Sequence, residues 1–136
     1  MPNISKDYKF GTDKEISLLE TLQNKFGKDL LKSEKKNTRY DFISEKILIE
    51  LKCRRNNYQK YSTTMIGENK IQYFLKSNKT CYAVFAFTDG IYYCEIEPEL
   101  LEKCKVKRGG RVDRGCYESA NYRFIPISLL QPIETK

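Results

Sequence analysis

From Lys46 to Lys52 the chain alternates, with Ile47, Ile49 and Leu51 directed to one layer and Glu50 and Lys52 sharing the opposite face of a strand. Arg39 to Ser44 reads as a second strand, and only Glu45 and Lys46 separate the two. A two-residue turn sets Ser44 against Ile47 and, counting outward, Asp41 against Glu50. Glu-Lys is not the Asn-Gly or Asp-Gly pair that such turns favour. A longer loop would shift this register.

Around this hairpin the pattern predicts further elements. Thr12-Asp13-Lys14-Glu15 resembles a capping box opening a helix to about Phe26, with Gly27 placed to end it. Glu15, Leu18, Leu19, Leu22 and Phe26 share one face of that helix, so Glu15 points inward. It is equally the position from which a glutamate returns to bond the cap residue. Residues Asp29 to Glu34 read as a first strand, and Thr64 to Lys76 as a second helix carrying Ile66, Lys70, Tyr73, Phe74 and Leu75. Cys81 to Phe87 is a continuous apolar run, as expected of a strand buried on both faces. Asp89-Gly90 turns it into Ile91 to Ile96, and Pro98 opens a short helix ending near Cys104. A flexible basic loop follows, then an edge strand over Tyr122 to Ile127, where Pro126 cannot donate to a central ladder. Neither repeats nor a composition break divides residues 1–136, so the chain reads as one α/β domain.

Two carboxylates directly opposite each other repel in a bare sheet. A divalent cation between them reverses that interaction, so Asp41 and Glu50 are candidate ligands of a metal. The alternative is that Glu50 and Lys52 are merely the solvated face of a half-buried strand.

Composition narrows the chemistry. Lys and Arg number 25 against 18 Asp and Glu, and the net charge of +7 suits a polyanion such as DNA. There is no histidine, which removes Ser-His-Asp and Cys-His catalysis and every His-ligated metal site. The five cysteines, Cys53, Cys81, Cys94, Cys104 and Cys116, form no Cys-x-x-Cys pair. With no signal peptide and no apolar run of about 18 residues, the expectation is an intracellular protein with reduced thiols and no membrane span.

A helix with glutamate, strands, Asp41, Glu50-x-Lys52, then a helix and a strand resembles the PD-(D/E)XK nuclease superfamily over about Thr12 to Phe87. Lys52-Cys53-Arg54-Arg55 and Asn69-Lys70 on the following helix are similar to small phage and viral members. Tyr40 stands where the motif has proline, and the charged positions are all present. The resemblance implies a restriction-endonuclease-like core (αβββαβ), a central mixed β-sheet flanked by helices, here with a C-terminal hairpin and edge-strand extension. It also implies that Asp41, Glu50 and the Leu51 carbonyl hold Mg²⁺, with Mn²⁺ as substitute, that Lys52 handles the attacking water, and that Glu15 matches the first-helix glutamate. Lys70 either reaches the scissile phosphate or is an exposed helix lysine.

The expected activity is metal-dependent hydrolysis of DNA, without a small-molecule cofactor and with a homodimer to cut two strands. Arg54, Arg55, Lys60, Lys105, Lys107, Arg108, Arg111 and Arg114 are the candidate backbone contacts. A Holliday-junction resolvase shares the same arrangement of charges. A non-catalytic nucleic-acid-binding module on the same fold is the rival outside enzymes.

Overall fold

The computed structural model describes residues 18–33, 40–111 and 118–134. A helix over residues 18–26 (α1) leads into the short strands β1 (Leu31–Lys32) and β2 (Phe42–Ile43), then the long β3 (Ile47–Cys53). Gly27 ends α1 as expected. Its φ of 134° lies where only glycine is unstrained, and its N–H donates to the Gln23 carbonyl at 2.9 Å.

After β3 come β4 (Thr63–Gly67), helix α2 (Glu68–Leu75), β5 (Thr80–Phe87) and β6 (Gly90–Glu95). The chain finishes with α3 (Pro98–Leu101), β7 (Lys105–Arg111), β8 (Glu118–Pro126), a 3₁₀ turn and β9 (Gln131–Ile133). Six strands form a mixed sheet in the order β1-β2-β3-β5-β6-β9, in which β3 and β5 run parallel. Strands β4, β8 and β7 form a second, antiparallel sheet. The fold is thus α/β with a mixed central sheet, consistent with a restriction-endonuclease-like core. No helix among the described residues is long and apolar enough to cross a membrane.

The period-two pattern of β3 divides the core as the sequence implies. Ile49 and Leu51 join Phe42, Val84 and Ala86 beneath Leu18 and Leu22 of α1. Leu48, on the other face, packs with Ala83, Phe85 and Phe87 of β5 against Ile71 and Phe74 of α2 and Ile66 and Ile125 of the second sheet. A strand covered on both faces needs apolar residues throughout, and β5 supplies them.

Three elements differ from their sequence reading. Thr64 to Lys76 is not one helix. Its first part is β4, in which Thr64 and Ile66 turn inward and Met65 outward, and Gly67 is the N-cap of α2. β-Branched residues at alternate positions favour the strand, while Ile66 and Lys70 also fit helical spacing. The basic segment is not a loop up to Arg111: Lys105–Arg111 pairs with β8, and Lys105 to Arg108 are exposed. A strand held by its partner's backbone leaves no apolar signature. β8 is the middle strand of its sheet rather than an edge. Pro126 is tolerated because it pairs only with Thr63, beyond Phe124 where β7 begins its pairing.

Candidate active site

The turn at Glu45-Lys46 sets the geometry. Phe42 pairs with Ile49 and Ile43 with Leu48, and the Ser44 N–H donates to the Ile47 carbonyl at 2.9 Å. The two-residue register holds for these pairs, and the ladder stops at Phe42, one residue short of Asp41. A turn lacking Asn-Gly is held from outside: Lys79 Nζ donates to the Ser44 carbonyl at 2.6 Å, and the Thr80 N–H to the Lys46 carbonyl at 2.9 Å. Lys79 is a residue that sequence reasoning missed.

Asp41 lies just before β2, fixed at both backbone edges. Its N–H donates to the Ile49 carbonyl and its carbonyl accepts from the Ser33 N–H, each at 2.8 Å. The carboxylate reaches across to β3, where Oδ2 accepts from the Leu51 N–H at 2.7 Å. A strand residue sends its N–H and C=O to the same edge, so the Leu51 carbonyl is turned to the Asp41 side.

Glu50 is 4% exposed, one of two buried polar side chains of the described core. Lys52 Nζ stands 3.1 Å from its Oε1, and Lys70 Nζ, brought in by α2, stands 3.4 Å from Oε2. Burying a carboxylate without partners is costly, and here two ammonium groups answer it. Glu50, Lys52 and Lys70 therefore gather on one face of the sheet, and the Asp41 carboxylate meets the Leu51 backbone between Glu50 and Lys52 in sequence. The described turns of α1 cover the other face. Glu15, the fifth residue expected at this site, lies outside the described residues.

Among the described residues no cluster of three or more His, Cys, Asp or Glu could hold a metal. Two carboxylates and a carbonyl remain. That set fits Mg²⁺, which takes about six oxygens, is bound through one or two carboxylates, and keeps several waters.

The family described as "Phage putative PDDEXK endonuclease" matches the chain over residues 13–133. The chain belongs to that family. Among curated proteins, none matches it.

The match supports a nuclease at the level of the family's description. The candidate nucleic-acid contacts are distributed unevenly around the site. Arg54 follows Lys52 on the same face, but its guanidinium is engaged with β4: Nη2 donates to the Met65 carbonyl at 2.7 Å and Nε to Thr64 Oγ1 at 3.3 Å. Arg55, Lys60, Lys105, Lys107 and Arg108 are exposed. Arg111 closes β7, and Arg114 lies outside the described residues.

Sequence reasoning also missed the brace behind Lys70. Arg123 of β8 donates through Nε to Glu68 Oε2 at 2.9 Å, and through a second nitrogen to Oε1, at the first residue of α2. The Arg123 guanidinium holds the Glu68 carboxyl below its usual range against the opposing effect of burial. No local signal announces a pair separated by more than fifty residues in sequence, about 55 positions in all.

Proposed function

We propose that this endonuclease cleaves DNA by metal-dependent hydrolysis, with Asp41, Glu50 and the Leu51 carbonyl as the groups that would hold Mg²⁺ or its substitute Mn²⁺. The observation that carries this reading is the buried Glu50 carboxylate between Lys52 and Lys70, with Asp41 bonded to the N–H of the next residue, Leu51. When bound there, a divalent ion lowers the pKa of its water and offsets the charge that develops on the phosphoryl oxygens.

The protein groups act around that centre. The Leu51 N–H holds Asp41 Oδ2 in one orientation, so the carboxylate is fixed before substrate arrives. Lys52, partly exposed beside Glu50, donates from Nζ to the attacking water and orients it toward phosphorus. Lys70 approaches from the opposite side of Glu50 and supplies a second cation to the non-bridging phosphate oxygens. The exposed cations of β7 and the β3–β4 connection follow the backbone, consistent with a net charge of +7. A homodimer belongs to this reading, because cutting both strands of a duplex takes two such centres.

Linear, nicked, flapped and four-way DNA incubated with and without Mg²⁺, beside Lys52→Ala and Asp41→Asn, provides the test. Wild-type cleavage should need the ion, and each variant should be slower by about 100-fold or more. Equal rates for wild type and Lys52→Ala would refute the assignment.

A further inference from the structure

Beyond Lys52 the same face of the sheet opens into a cleft of about 340 Å³ between the ends of β3 and β5 and the second sheet. Its wall on the Lys52 side is Arg54, whose guanidinium lies 5.8 Å from the Phe85 ring. Same-face neighbours on a strand are about 7 Å apart, so the cleft begins one side-chain step from Lys52. We propose that this cleft receives one unstacked nucleobase of the DNA strand being cut, a proposal that rests on the nuclease reading for the strand's position at Glu50 and Lys52.

The lining has the chemistry of a base site. Tyr58, Tyr61 and Phe124 line it with aromatic rings above the buried Phe87, Met65 adds a polarisable apolar surface, and Asn56 an amide able to meet a base edge. The rear wall is rigid: Tyr58 stacks on Tyr92 with centroids 3.9 Å apart and planes 6° from parallel, and its hydroxyl donates to the Ile127 carbonyl at 2.7 Å. Ring faces fixed in advance lose little freedom when a flat ligand arrives. The mouth is left uncovered, with Tyr61 58% and Met65 37% exposed, two of the five large apolar side chains exposed among the described residues.

Charge at the rim suits the phosphates on either side of such a base. Lys60 Nζ lies 5.7 Å from the Tyr61 ring centroid and Lys107 Nζ 5.5 Å from that of Phe124. Aromatic floor and cationic rim together are the arrangement that grips single strands. The volume is at the lower end of small-ligand pockets, about 300–1,000 Å³, which admits a base and excludes a duplex. A paired base is stacked on both sides and cannot enter. The preferred substrate therefore presents single-stranded or frayed DNA beside the scissile phosphate.

The test measures binding of the full-length chain in buffer with EDTA, so that no cleavage contributes. Fluorescence anisotropy compares a single-stranded DNA oligonucleotide with its blunt duplex for wild type, Tyr61→Ala and Tyr61→Phe. The side chain at this position is exposed, so the fold tolerates both changes. Tyr61→Ala should weaken single-strand binding on the order of tenfold and leave duplex binding within about twofold, while Tyr61→Phe retains wild-type affinity. Quenching of 2-aminopurine in the oligonucleotide should be lost in parallel. Unchanged single-strand affinity in Tyr61→Ala, or an equal loss on duplex, would overturn the proposal. Tyr61-dependent single-strand binding by a protein that never cuts in Mg²⁺ would refute the nuclease reading alone.

Discussion

Replacing Arg123 by Met keeps the aliphatic stem and removes the guanidinium that braces α2. The side chains of Arg123 and Glu68 are 15% and 16% exposed, so their pairing is neither a surface contact nor fully desolvated. Exposed pairs contribute less than about 1 kcal/mol, whereas breaking a buried pair costs about 3–5 kcal/mol. The forked geometry and a further bond from Nη1 to the Leu101 carbonyl at 3.3 Å place this loss between those limits. About 2–3 kcal/mol is expected, which for a chain of this length lowers Tm by roughly 6–12 °C.

The same pair makes the loss depend on pH. Glu68 is held below its ordinary 4.5, chiefly by the Arg123 hydrogen bond, so its contribution is complete above about pH 4.5 and fades as acid passes the lower folded value. Arg123 is raised further above its already high ordinary value, chiefly by the Glu68 hydrogen bond, so its side of the pair is lost only in strong alkali. Thermal unfolding followed by circular dichroism should show a wild-type-to-variant gap that is flat from roughly pH 6 to 9 and narrows toward pH 3. A gap that stays constant into acid, or is absent at neutral pH, would refute the role given to this pair.

Asp41→Asn keeps an oxygen for the Leu51 N–H, so it should abolish ion-dependent cleavage while moving stability by less than about 1 kcal/mol; Asp41→Ala orphans that donor and should cost about 1–3 kcal/mol in a urea titration. Burial pushes the Cys94 thiol up to about 12, so a thiol-labelling reagent at about pH 8 should leave it unmodified by mass spectrometry until denaturant is added. Labelling of Cys94 in the native protein would contradict its placement in the core.

The site could be read from the sequence where it depends on local period. Two strands joined by two residues fix Phe42 against Ile49, with Asp41 just beyond the last pair, and alternation puts Lys52 beside Glu50. Lys70 could be named but not located, because its approach depends on α2 lying over the Glu50 face, a matter of packing between distant segments. The second sheet was the least readable part. β4 carries a pattern that serves either helix or strand, β7 has only exposed side chains where they are described, with Val106 among Lys105, Lys107 and Arg108, and β9 is three residues long with Pro132 in the middle. Such strands exist through their neighbours' backbones, and single-segment patterns carry little of that information. The aromatic cleft was hidden for the same reason, since Tyr61, Phe87 and Phe124 come from three elements far apart in sequence.

The pairing of β4 with β8, Thr63 with Pro126 through Gly67 with Tyr122, has a temporal consequence. During synthesis Asp41, Glu50, Lys52 and Lys70 all emerge long before β8 does. Until residues 118–126 have been added, β4 has no partner in its sheet and Arg123 is not there to hold the start of α2. Long-range pairing of this kind forms late. A nascent chain can thus carry every charged residue assigned to cleavage and still lack the surface on which Lys70 is held, so competence arrives with a strand that supplies none of those charges.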